Sequence, residues 1–278
     1  EKLKGEGEII AVTGDGVNDT PALKVADIGV AMGSGTDIAK ETGSMIIVDD
    51  NFSSIVHGIE EGRRAYNNIR KVIYLLLSTG FSEIILFIFS IIVGLPIPLL
   101  AIQFLWLNLI SNGIQGDALA FEKDIEDVMN KKTKRKKEVI FNKLLIIEIA
   151  VSAVTMAVIE FIMYIYITKT KQYDITTIRS LLLTLMVFIE NIHIFNCRSE
   201  NLSIFKIPIK NNIFLIASII ITTLIQILIV TNESLASIFK LSVISGRQII
   251  ILLILTIPVI IIMEIFKLIK KHNSIKFQ

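Results

Sequence analysis

Six long stretches of apolar, almost uncharged residues leave this chain few ways to fold. They run near Val72 to Val93, Leu99 to Phe121, Leu144 to Ile167, Leu181 to Phe195, Ile213 to Val230 and Ile249 to Phe266. Most are close to the ~20 residues that a helix needs to cross a bilayer core. With 53% hydrophobic residues in 278 and a mean hydropathy of +0.67, the chain is too apolar for a soluble domain of its size. The fourth stretch is the weakest, since Glu190, Asn191, His193 and Asn196 interrupt it, yet its place among five others predicts that it also spans. The net charge of +2 hides a segregation of charge into the first 71 residues and into short blocks between the apolar runs. Lys131, Lys132, Lys134, Arg135, Lys136 and Lys137 follow the second run, and Lys267, Lys270 and Lys271 follow the sixth, so these loops and both chain ends are expected in the cytoplasm. Lys169, Lys171 and Arg179, on the opposite side, run against that rule. The basic block reads as a solvated loop or a contact for anionic lipid, and no nucleic acid is expected as a partner.

Residues 1 to 71 read differently. Ile9-Ile10-Ala11-Val12 is predicted to be a short buried strand, Thr20 to Ala26 a helix with Pro21 in its first turn, and Ile28 to Met32 and Met45 to Val48 two further strands. Short apolar runs alternating with helices predict an α/β unit on a parallel sheet. From Phe52 to Lys71 the spacing is helical, with Arg63, Arg64, Arg70 and Lys71 just ahead of the first apolar run, which reads as a stalk entering the membrane. The first residues, Glu1-Lys2-Leu3-Lys4-Gly5-Glu6-Gly7, hold neither an initiator Met nor a signal-peptide core, so the chain is expected to be part of a longer protein. Cys197 is the single cysteine, which excludes an internal disulfide framework and predicts a packed small residue.

The most specific string is Thr13-Gly14-Asp15-Gly16-Val17-Asn18-Asp19-Thr20-Pro21-Ala22-Leu23, set between a strand and a helix. Two carboxylates four positions apart suit a hard cation such as Mg²⁺, and glycines let backbone approach a phosphate. Asn18 can donate to a phosphoryl oxygen.

This string, followed by ADIGVAMGSGTDIAKE and DDNFSSIVHGIEEGRRAYNNIRK, resembles the hinge end of the phosphorylation domain of type II, calcium-pump-like P-type ATPases. The likeness continues through GLPIPLLAIQFLWLNLISNG, FIENIHIFNCRSENLSIF and SLASIFKL. It implies a partial haloacid-dehalogenase-like α/β domain over 1–51, a stalk helix over 52–71, and an all-α transmembrane domain of six helices over 72–278, the fifth to tenth spans of a complete pump. It also implies ATP-driven cation transport in a multi-pass protein of the plasma membrane, through an aspartyl-phosphate formed on a DKTGT motif. No DKTGT occurs here, so that aspartate and the ATP-binding domain are expected upstream. In this resemblance Asp15 is the Mg²⁺ ligand, Asn18 a phosphate donor and Asp19 a supporting carboxylate.

Polar groups inside apolar runs point to the cation path, because they are costly in hydrocarbon. Glu83 stands in the first run. In the second, Asn108, Ser111, Asn112 and Gln115 recur three and four apart, so one helix face offers oxygens. Calcium pumps hold ion ligands at positions matching Glu83, Asn108, Ser111 and Asn112, with Glu190 a further carboxylate. Gly80 stands where those pumps carry an amide and Asn112 where they carry an aspartate. The lost charge favours fewer or monovalent ions unless Asp117 compensates. Ca²⁺ is therefore the first expectation and Na⁺, K⁺ or H⁺ the alternative; a non-catalytic membrane remnant or regulatory subunit is the alternative of another class. Glu160 is a further carboxylate in the third run. His193 is expected to be a hydrogen-bonded packing residue, and Trp106 to pack near Pro96 and Pro98.

Overall fold

The structure is a computed structural model that describes residues 2–6, 8–123, 129 and 140–273. The basic block from Lys131 to Lys137 lies outside the described residues. Two units emerge, one comprising 1–66 with 126–142 and the other 67–125 with 143–278.

In the first unit, α1 (Lys2–Gly5) precedes three parallel strands, β1 (Ala11–Gly14), β2 (Ile28–Met32) and β3 (Met45–Ile47), in the order β1-β2-β3. Ala11 pairs with Ile28 and Val30 with Met45. The first strand starts two residues later than its apolar run suggests, and Ile9 is 45% exposed. An edge strand can leave such residues uncovered, whereas β2, paired on both sides, buries Gly29, Val30 and Ala31. The crossovers are α2 (Thr20–Val25), with Pro21 in the first turn where no amide hydrogen is missed, and α3 (Asp37–Thr42), whose N-cap Thr36 accepts from the Ala39 amide. Leu23, Ala31 and Ala39 form the core, with Val12 packed against it. Asp50 turns the chain at φ 51° and accepts from the Ser34 amide, which holds its carboxyl below the ordinary range.

The segments expected to be a stalk and a first span form one 41-residue helix, α4 (Phe52–Ile92). Among the described residues, five helical segments are long and apolar enough to cross a membrane: Phe52–Ile92, Lys143–Thr170, Ile175–Cys197, Ile209–Thr231 and Gly246–His272. The expected second span, Leu99 to Phe121, is not one of them, because it divides into α5 (Ala101–Trp106), a π-helical segment (Leu107–Gly113) and α6 (Ile114–Ala120). Next come α7 (Lys143–Thr170), α8 (Ile175–Cys197), α9 (Ile213–Thr231) and α10 (Glu233–Ile238). The last crossing segment is α11 (Gly246–Leu255) and α12 (Ile257–Asn273), separated at Thr256 just before Pro258. Proline supplies no amide there, and the Thr256 hydroxyl takes the Leu253 carbonyl at 2.7 Å.

The weakest apolar stretch proves to be the most enclosed: 83% of the apolar stretch of α8 is buried, against 28–50% for the other four. It packs against α7, α9, α11, α12 and the π-helical segment. A helix enclosed by protein can carry polar groups that lipid would penalise. Its Cys197 is fully buried, and His193 bonds Ser78 Oγ at 2.8 Å and meets the Tyr74 ring edge-on.

Candidate functional site

The loop after β1 carries the phosphate-type motif. A 3-10 turn (Val17–Asp19) leads into α2 and swings the Asp19 carboxylate back, where Oδ2 accepts from the Asp15 and Gly16 amides at 3.0 and 3.1 Å. A Cβ on Gly14 would stand 2.4 Å from Asp19 Cβ, so this closure needs a glycine. On the other side, the Asp15 carbonyl accepts from the Thr36 amide, and a Cβ on Gly35 would meet that carbonyl at 2.8 Å. Asp15 and Asn18 are left exposed at the crest. The two carboxylates are thus unlike: Asp19 holds the loop, whereas Asp15 faces outward from a backbone pinned on both flanks. A hard, exposed oxygen donor on a fixed loop fits Mg²⁺.

The second cluster lies in the helical unit, where the interrupted span passes α4 and α7. Over Leu107–Gly113 the wide turns coincide with the polar residues. Asn108 Nδ2 donates to the Phe104 carbonyl at 3.1 Å, Asn112 Nδ2 to Asn108 Oδ1 at 3.2 Å, and Thr79 Oγ1 of α4 to Asn112 Oδ1 at 3.1 Å. Glu83, one turn beyond Thr79 and 7% exposed, sets its carboxylate against the Asn108 amide, yet its Oε1 is buried with no hydrogen-bond partner. From α7, Glu160 at 2% exposure accepts from Ser82 Oγ at 3.0 Å and has Glu83 as its electrostatic neighbour. An unpaired carboxylate oxygen away from water is a strong demand for a cation or a proton.

Of the residues read from the sequence, Glu83, Asn108 and Asn112 therefore come together. The Ser111 side chain lies outside the described residues. Gln115 is fully buried but joins a different set, donating to Asn191 Oδ1, which also accepts from Thr222, while Asn191 Nδ2 donates to Thr223. Asp117 is exposed on α6, and Glu190 is buried on α8. Trp106 packs on Phe239, with ring centroids 4.6 Å apart, and donates to Gln226 Oε1, and Pro96 gives its carbonyl to Tyr164. Thr79 and Ser82 went unnoticed because an intramembrane hydroxyl usually bonds its own helix. Among the described residues no three His, Cys, Asp or Glu side chains gather at one point, so carboxylates alone do not complete a shell.

Comparison with known proteins adds two family matches. Residues 96–269 match the model for the cation transporting ATPase C-terminus, and residues 1–59 match that for haloacid dehalogenase-like hydrolases. Among curated proteins, the chain is 33% identical over its whole length to the endoplasmic reticulum-type calcium-transporting ATPase 3 of Arabidopsis thaliana. It is 38% identical over 84% of its length to a calcium-transporting ATPase of Bacillus subtilis, and 37% identical over 97% to calcium-transporting ATPase 1 of Bacillus cereus. The chain spans 31%, 26% and 32% of those relatives respectively.

Proposed function

The chain belongs to the cation-transporting P-type ATPases, whose C-terminal region it matches, and from that premise we propose that it forms the cation path and part of the phosphorylation domain of an ATP-driven calcium pump. The observation that carries this is the cluster of buried Glu83, Asn112 and Thr79 with the more exposed Asn108 at an interrupted helix, with a carboxylate oxygen left unbonded. An inert anchor gains nothing from such groups in hydrocarbon. Calcium is the ion named for all three relatives.

At the β1 loop, Asp15 would hold Mg²⁺ and Asn18 would donate to a phosphoryl oxygen, while Asp19 keeps the loop closed through its two amide bonds. Bound there, Mg²⁺ neutralises charge on the phosphoryl group. ATP and the aspartate that it phosphorylates belong to the upstream domain, and the continuous α4 relays that domain's state to Glu83. The interrupted segment 101–120 counts as a sixth crossing, which returns both ends of the chain to the cytoplasmic face of the plasma membrane.

The test is ATP hydrolysis by the full-length protein in lipid vesicles with Ca²⁺, Na⁺, K⁺ or Mn²⁺, wild type beside Glu83→Gln. Micromolar Ca²⁺ should stimulate the wild type, and the substitution should remove at least about 90% of that stimulation. Stimulation by a monovalent ion alone would retire calcium but keep the pump; turnover indifferent to every ion would overturn the reading.

A further inference from the structure

Asn112 is uncharged where the resemblance to calcium pumps implies an aspartate, and Asp117 is exposed on α6. The second negative charge beside Glu83 comes from elsewhere: Glu160, in the middle of α7 and 2% exposed. Ser82 Oγ, on the residue preceding Glu83, donates to Glu160 Oε2 at 3.0 Å, and Glu83 is an electrostatic neighbour of Glu160. Among the described residues neither carboxyl has an ion-pair partner, and Glu83 Oε1 has no hydrogen bond. Two adjacent carboxylates buried without a counter-charge are stable only when protons or a cation join them. Asn108, whose amide lies at Glu83, and Asn112, bonded to Thr79, add neutral oxygens to the same place. Two carboxylates with amide and hydroxyl oxygens make a hard, doubly negative set, the chemistry of a divalent cation.

We propose that Glu160 is the second carboxylate of the cation site, supplied by α7 in place of the aspartate absent at position 112, and that it suits the site to a divalent ion. The proposal rests on the pump reading above and concerns a residue which that reading does not need. Its test is equilibrium binding of ⁴⁵Ca²⁺ to the full-length protein in lipid vesicles without ATP, with ²²Na⁺ in a parallel series. Phosphorylation by inorganic phosphate reports that each variant is folded.

Glu160→Gln should weaken ⁴⁵Ca²⁺ binding at least about tenfold, and adding Asn112→Asp to it should restore most of the loss by returning the charge from the other helix. Wild-type affinity in Glu160→Gln, with Glu83→Gln impaired, would overturn the assignment and leave the pump standing. Wild type that binds ²²Na⁺ but not ⁴⁵Ca²⁺ would overturn the divalent site, and binding of neither would remove both readings. Should Glu160→Gln not fold, Ser82→Ala takes its place, because it frees the Glu160 carboxyl without removing it. A roughly threefold or greater loss of affinity supports the proposal, and unchanged affinity overturns it.

Discussion

At the scale of single residues, space around a backbone atom decides more than side-chain chemistry. Gly14 and Gly58 are both glycines near functional segments, yet a Cβ on Gly14 would collide with Asp19, while one on Gly58 meets nothing within 4 Å. Gly14→Ala should force the Asp15 loop apart, costing about 1–3 kcal/mol and most of the phosphorylation capacity of the full-length protein. Gly58→Ala, on an exposed stretch of helix, should be neutral or stabilise by about 0.5–1 kcal/mol. Thermal unfolding and phosphoenzyme yield on both variants distinguish a close approach from a merely permissive glycine. The motif was legible as a string, and its resemblance already gave the two acids different roles, but nothing in the order of letters says that Asp19 turns inward to two amides.

For the elements, ends and interruptions carry the information. Helix α8 begins at Asp174, whose carboxylate accepts from the Thr176 and Thr177 amides and from both hydroxyls. The Thr176 and Thr177 bonds draw its pKa down to about 2 from the ordinary 3.8. Its stabilisation is therefore complete above the unfolded value and is lost as pH falls through the folded one. Asp174→Ala should lower stability by about 0.5–2 kcal/mol near neutral pH, and the difference from wild type should shrink as pH drops below about 4 toward 2. Unfolding midpoints along a pH series measure it; a difference that grows on acidification would contradict this cap. The division of the second span at Leu107–Gly113 was foreshadowed by its recurring polar residues, but their spacing of three and four suits a regular helix equally well, so the widened turn had no sequence signal of its own.

In the helical unit taken whole, buried charge holds distant segments together. Arg198 and Glu122, 2% and 0% exposed, pair through two bonds to Glu122 Oε1; the Pro208 carbonyl takes a further Arg198 bond, and Asn212 Nδ2 donates to Glu122 Oε2. Asn68 of α4 holds the Ala120 and Glu122 carbonyls from the other side. Removing one member leaves a buried charge alone, so Glu122→Ala should cost about 3–5 kcal/mol. Arg64 of α4 also pairs with acids, Glu60 and Glu61, but in solvent, and Glu61→Ala should cost under about 1 kcal/mol. Unfolding of the purified protein in detergent compares the two, and equal losses would refute the role assigned to burial.

The sequence by itself determined the elements that depend on near neighbours: helices from apolar runs, a parallel α/β unit from short strands around a phosphate-type loop, and a family from strings that hold side chains at set spacings. Lipid and backbone hydrogen bonding impose those patterns locally, so they are written locally. Tertiary structure alone decided which polar residues meet. Ser82 and Glu160 are 78 positions apart, Arg198 and Glu122 76, and no periodicity links either pair. In the sequence Asp117 is a candidate for the cation site and Glu160 only a further intramembrane acid, but helix packing set Glu160 beside Glu83 and left Asp117 exposed. The cost of burying charge then selects partners by position in space, which a linear order of residues does not record.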